Sequence, residues 1–157
     1  MTASTLVFAW GNPARGDDAL GPLFAEAIEA LQLPDVECLT DFQLQVEHAL
    51  DLQGRQRVLF VDASLSAPAP FGVQTLAPLH DESFSSHAMS PAAVLQVYCD
   101  VLKRPPPPAQ LLAIQGVQWE LGIAPSVAAR ENLAAALAWA KHWLASDTAA
   151  GTAQAPT

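Results

Sequence analysis

The order of apolar segments along this 157-residue chain is the strongest constraint on its fold. Short runs rich in Val, Leu and Phe alternate with longer segments whose apolar residues recur at helical spacing. The run Val58–Val61 is apolar without interruption, which is typical of a strand buried on both faces. Strands that alternate with helices favour a parallel sheet covered by helices on both sides. We therefore expect a single-domain three-layer α/β/α sandwich with a mostly parallel sheet of about five strands.

The predicted elements cover most of the chain. We expect strands at Thr5–Trp10, Val36–Leu39, Val58–Val61, Phe71–Leu76 and Leu111–Gln115. We expect helices at Leu20–Leu31, Leu44–Leu52, Pro91–Leu102 and Val127–Leu144, the last with Leu133, Leu137, Ala140 and Leu144 as its buried stripe. Residues 1–145 then form the domain. Residues 146–157 are rich in Ala, Thr, Gly, Gln and Pro, and we expect a flexible tail there.

Charge and hydropathy exclude several classes of partner. The chain has 7 Lys and Arg against 16 Asp and Glu, a formal net charge of −9, which argues against nucleic acid and against anionic membranes. Its longest apolar run, Leu133–Ala140, is far shorter than the ~20 residues of a spanning helix. A signal peptide begins with a positively charged region, but no Lys or Arg precedes Arg15 in this chain. Cys38 and Cys99 are too far apart in sequence for a thiolate metal motif. We expect a monomeric protein in the cytoplasm.

Acidic and imidazole side chains fall where a parallel sheet places its ligands. Asp17 and Asp18 lie in the loop after the first predicted strand, and Asp62 directly follows Val58–Val61. His87 lies in a Ser- and His-rich loop before the helix that begins at Pro91. Because open parallel sheets bind ligands at the carboxyl ends of their strands, the two acidic positions lie on the functional edge. Together with His87 they form a candidate two-carboxylate, one-imidazole site for a divalent transition metal.

Each of these residues also has a purely structural interpretation. Asp17 or Asp18 could cap the following helix, Asp62 could cap a turn, and His87 could be an ordinary surface residue. Other catalytic patterns fit badly, since the chain has no GxGxxG phosphate loop and no GxSxG nucleophile elbow. A phosphoacceptor domain would need a lysine at a late strand end, where this chain has none.

A resemblance to a known family becomes visible in four segments. The loop Gly11–Pro22, with the sequence GNPARGDDALGP, resembles the N-terminal signature of the [NiFe]-hydrogenase maturation endopeptidases. Later landmarks of that family occur in the same order, at Val61–Ala63, Ser86–Pro91 and Leu112–Gln115. The segment Gln43–Glu47 is similar to the branch that serves bidirectional, NAD-linked hydrogenases. The resemblance spans residues 6–144.

The resemblance implies a fold and an activity. Such a protein would be a peptidase that removes the C-terminal extension of an immature [NiFe]-hydrogenase large subunit. The motif positions imply that Asp18, Asp62 and His87 are the catalytic, metal-ligating residues, with Asp17 as a second candidate ligand. The nickel would be supplied by the substrate precursor and not bound permanently. Ala19 replaces a common glycine, which has no consequence if that position is already helical. Asp41–Gln43 replaces a Gly-rich stretch that shapes the substrate groove in the family, which predicts altered substrate selectivity.

Two further hypotheses compete with this interpretation. The chain could be a metallohydrolase with its own bound metal and a small-molecule substrate. It could also be a non-proteolytic chaperone that senses nickel on the large subunit. Metal content would favour the first alternative, and binding of the precursor without cleavage would favour the second.

Overall fold

Five strands form one sheet in the order β2-β1-β3-β5-β4. The computed structural model describes residues 2–80 and 89–146. The strands are β1 (Thr5–Trp10), β2 (Val36–Asp41), β3 (Arg57–Ser64), β4 (Phe71–Thr75) and β5 (Ala109–Gln115). Neighbouring strands are parallel except β4, which is an edge strand antiparallel to β5. The predicted mostly parallel five-stranded sheet is confirmed.

Helices cover both faces of this sheet. The α-helices are α1 (Leu20–Glu29), α2 (Pro91–Leu102) and α3 (Val127–Ala145), and 3-10 helices occupy Gly16–Ala19 and Val46–Leu52. Helices α1 and α3 pack on one face, and α2 packs on the other beside the 3-10 helix Val46–Leu52. The predicted three-layer sandwich is therefore confirmed. In the described part of the chain, no helix has the length and apolar character needed to span a bilayer.

Alternation along β1 divides the core into two layers. Val7 and Ala9 face α1 and α3, whereas Leu6 and Phe8 face α2. Successive strand side chains point to opposite faces, so a central strand covered on both sides must be apolar throughout. Residues 57–61 of β3 are all buried for the same reason.

Two predicted helical segments differ in detail from the structure. The segment predicted as a helix from Leu44 is a 3-10 helix over Val46–Leu52, in which His48, Ala49 and Leu52 are buried. On α3 the fully buried positions are Ala129, Ala136 and Ala140, and the predicted leucines are only partly buried beside them. The small alanine side chains allow α3 to approach the core closely.

A buried arginine joins the start of β3 to the end of α3. The Arg57 guanidinium is 6% exposed and donates to the carbonyl oxygens of Trp143 (2.9 Å) and Leu144 (3.0 Å). It also donates to the Thr5 hydroxyl (3.0 Å) and lies 4.2 Å from the centre of the Trp143 ring. The Trp143 carbonyl oxygen also accepts from the Ser146 amide (3.2 Å) and hydroxyl (2.6 Å). The Arg57 cation therefore adds to the capping of the last carbonyls of α3, at the negative end of the helix dipole.

We predict that Arg57→Ala lowers the free energy of unfolding by about 3 kcal/mol, because several hydrogen bonds of about 1 kcal/mol each and a cation–π contact are lost. Urea denaturation of the variant measures this change. The matched control is Lys141→Ala, which removes an exposed cation from the same end of α3. Equal stability of the two variants would contradict the role assigned to Arg57.

Candidate active site

The carboxyl ends of β1, β2, β3 and β5 meet at one edge of the sheet, as parallel pairing requires. In the registers, Trp10 pairs with Asp41, and Asp62 pairs with Ala113. The loop after β1 runs along this edge and contacts three aspartates. The Trp10 side chain hydrogen-bonds Asp62, and the Gly11 amide donates to the Asp41 carbonyl oxygen (3.1 Å). The Asn12 amide donates to the Asp18 carboxylate (2.7 Å). Residues 10–12 thus contact the ends of β2 and β3 and the 3-10 helix that carries Asp18.

Gly11 makes this connection possible. Its φ of +147° is one that side-chain-bearing residues rarely adopt, and an added Cβ would overlap the Asp18 carbonyl oxygen. Residues 11–12 can therefore lie directly against the 3-10 helix Gly16–Ala19. The close approach sets the position of the Asp18 carboxylate.

Asp18 and Asp62 form an acidic pair at this edge. Both side chains are partly buried. Burial and the nearby Asp18 carboxylate raise the pKa of Asp62 from 3.8 to about 7, although hydrogen bonds from the Ala63 amide and the Trp10 side chain oppose this increase. The interaction of the two carboxylates is repulsive, and a divalent cation bound by both would remove the repulsion. The donor set therefore fits a divalent metal.

Asp17 has a different role from its neighbour. Its side chain is 0% exposed, and its carboxylate accepts from the amides of Val117 (2.8 Å), Gln118 (3.0 Å) and Ser126 (2.7 Å) and from the Ser126 hydroxyl (2.9 Å). Burial acts to raise the pKa of Asp17, but these hydrogen bonds outweigh it and hold the pKa below its usual value. Asp17 does not cap α1, whose N-cap is Ala19. Asp17 anchors the loop after β5, so Asp18 is the stronger candidate ligand.

The third predicted ligand, His87, lies outside the described residues. Within the described ranges, no group of three His, Cys, Asp or Glu side chains is arranged to hold a metal ion. The structure thus brings Asp18 and Asp62 together, and the assignment of His87 stays a prediction.

A second polar pair at the same edge was not predicted from the sequence. The His48 ring accepts from the Gln45 amide at Nδ1 (2.8 Å), so the proton is on Nε2, which donates to the Asp41 carboxylate (3.1 Å). The ring is nearly buried against Phe8, whereas the Asp41 side chain is 43% exposed. Asp41 could have been found by applying the strand-end rule to β2 as well as β3. No local pattern marks His48.

The comparisons with known proteins bear on the fold. A scan against protein-family models and a search of the curated proteins each found no match. Solved structures do match. The hydrogenase maturating endopeptidase HybD from E. coli has 23% identity and a TM-score of 0.69, covering 89% of this chain and 91% of that chain. The chain has the fold of the hydrogenase maturation endopeptidases.

Two archaeal structures agree. The [NiFe] hydrogenase maturation protease HycI from Thermococcus kodakarensis has 22% identity and a TM-score of 0.66, covering 89% of this chain and 91% of that chain. The hydrogenase 2 maturation peptidase from a Thaumarchaeota archaeon has 19% identity and a TM-score of 0.63, covering 90% of this chain and 97% of that chain. The fold expected from the resemblance is confirmed over nearly the whole chain.

An isosteric change should alter stability much more at Asp17 than at Asp18. We predict that Asp17→Asn lowers the free energy of unfolding by about 3 kcal/mol, because an amide nitrogen would face donors and the charge-assisted bonds would be lost. Asp18→Asn should change stability by less than about 1 kcal/mol, because its carboxylate is partly exposed. Urea denaturation at neutral pH compares the pair. Greater destabilisation by Asp18→Asn would contradict the assignment.

The raised pKa of Asp62 predicts the pH dependence of the metal-free protein. The folded state binds this proton more tightly than the unfolded state, so the stabilisation is complete below about pH 4 and is lost as the pH rises through about 7. Asp62→Asn should remove this part of the pH dependence. Asp18→Asn should lower the pKa of Asp62, as measured by NMR titration of the Asp62 side-chain carboxyl carbon. An unchanged titration curve would show that the two carboxylates do not interact.

Proposed function

We propose that the chain is an endopeptidase that removes the C-terminal extension of a nickel-loaded [NiFe]-hydrogenase large-subunit precursor. One observation carries the proposal. Asp18 and Asp62 meet at the carboxyl edge of the sheet, in a fold shared with structures named as hydrogenase maturation endopeptidases. The fold and the sequence motif point in the same direction.

In this proposal the nickel belongs to the substrate. Asp18, Asp62 and His87 bind the ion on the precursor and so distinguish the loaded form from the empty one. The repulsion between the two carboxylates supports the assignment, because a cation carried by the precursor is favoured at that position. His87 enters from its motif position and supplies the imidazole that the carboxylate pair lacks.

Two routes to hydrolysis are compatible with the acidic pair. A bound metal can polarise the scissile carbonyl or activate water. In the other route, a carboxylate accepts the proton of the attacking water. In both, the Trp10 side chain and the Asn12 amide hold Asp62 and Asp18 in place while the peptide is positioned between them.

Finer parts of the proposal concern the setting of the reaction. The partner is the immature large subunit, and the segment Gln43–Glu47 suggests a bidirectional, NAD-linked hydrogenase. We also propose that the protein acts as a monomer. We propose further that it acts in the cytoplasm, in agreement with its free Cys38 and Cys99. Nucleic acid and membranes have no part in this function, in agreement with the net charge of −9.

The activity can be tested by intact-mass spectrometry of a large-subunit precursor from the same genome, prepared with and without nickel. We predict that the protein releases a C-terminal peptide from the nickel-loaded form only. Asp18→Asn, Asp62→Asn and His87→Ala should each slow the release by roughly 100-fold or more, because each removes a group that contacts the metal or the reacting atoms.

The matched control is Asp100→Asn, which makes the same isosteric change at an exposed position on α2. It should process the precursor at the wild-type rate. Binding of the precursor without a change in mass, while a control protease still cleaves it, would indicate a nickel-sensing chaperone instead. Stoichiometric metal in the purified protein, with no action on the precursor, would indicate a metallohydrolase with its own ion.

A further inference from the structure

A groove of about 670 Å³ lies between α1 and β2, on the outer side of the sheet. One helix face, with Pro22, Glu26, Glu29 and Ala30, forms its wall, and Thr40 contributes from β2. We call it the α1–β2 groove. Pro22, Glu26 and Glu29 are spaced by four and three positions, so the groove follows α1 along most of its length.

The strand beside this groove has a free edge. Among the described strands, β2 pairs only with β1. A β-strand forms hydrogen bonds on two sides, so the outward amide and carbonyl groups of an edge strand can accept a further strand. Such an edge can bind an extended peptide through main-chain hydrogen bonds.

The direction of the groove connects it to the acidic pair. Because β1 and β2 are parallel and α1 links them, α1 runs opposite to both strands. The N-terminal end of α1, at Pro22, therefore lies at the same edge of the sheet as the end of β2 at Thr40. Asp18 is four residues before Pro22, and Asp41 directly follows Thr40. A peptide lying in the groove thus leads towards the candidate active site.

The groove is acidic. Glu26 and Glu29 are exposed, and neither takes part in an ion pair within the described residues. Glu29 lies close to β2, since burial and then the charges of Glu29 and Glu37 raise the pKa of the Cys38 thiol to about 11. A basic peptide would be attracted to this surface, and an acidic one would be repelled.

We propose that the α1–β2 groove binds the C-terminal extension of the precursor as an extended strand added to the free edge of β2, with basic side chains of the extension facing Glu26 and Glu29. This inference rests on the proposed function and adds where the C-terminal extension of the precursor binds and which side chains it carries. The other sheet edge, β4, contributes no residue to this groove.

The kinetic test uses the nickel-loaded precursor and the double variant Glu26→Gln/Glu29→Gln. We predict that KM rises about 10-fold at low ionic strength while kcat stays unchanged, because two exposed attractive charges are lost far from the reacting bond. The increase should shrink at high salt, where exposed charges are screened. The matched control is Asp100→Asn/Glu131→Gln, which removes two exposed charges from α2 and α3 and should leave KM unchanged.

A structural test uses the same full-length protein, ¹⁵N-labelled, with a synthetic peptide that contains the extension and the residues just before it. The outward-facing amides of residues 36–41, which are not bonded to β1, should gain protection from hydrogen exchange. Protection of β4 instead, or an unaltered KM in the double variant while the wild type cleaves the precursor, would overturn the groove assignment alone. Failure of the wild type to cleave would overturn the proposed function and this inference with it.

Discussion

The rest of the site depends on the buried carboxylate of Asp17. Its four hydrogen bonds, from Val117, Gln118 and Ser126, tie the loop after β1 to the loop after β5. In the sheet, β3 lies between these two strands and carries Asp62. The loops on either side of Asp62 are therefore joined across it. A flexible connection here would let Asp18 move away from Asp62, and the acidic pair would not be preorganised.

The two adjacent aspartates thus have different electrostatic roles. Asp17 is buried, fully bonded and held ionised, so its charge is already stabilised by the protein. Asp18 is partly exposed and raises the pKa of Asp62, so the hydrogen bonds that these two carboxylates accept do not fully offset their repulsion. The repulsion that remains favours any ligand that brings positive charge to this edge. Asp17 therefore stabilises the loops, whereas Asp18 sets the charge of the candidate site.

Sequence reasoning was sufficient where the signal is local. The strands and helices follow from apolar periodicity, and Asp62 follows from its place after a buried run. Asp17 and Asp18 could not be separated in that way, because the partners of Asp17 lie about a hundred residues further along the chain. The pairing of His48 with Asp41 likewise depends on how β2 meets the following 3-10 helix. The role of His87 stays a prediction that rests on its motif position.

The proposed site and groove together explain how a protease could respond to two conditions at once. Two carboxylates and one imidazole leave open positions on a metal, so the protein alone would hold a free ion weakly. The C-terminal extension of the precursor would also bind weakly in the α1–β2 groove, since each exposed charge contributes little binding free energy. When both contacts belong to one precursor, the second contact becomes intramolecular and its effective concentration is high. Under this proposal, only a precursor that carries both nickel and its extension binds long enough to be cleaved.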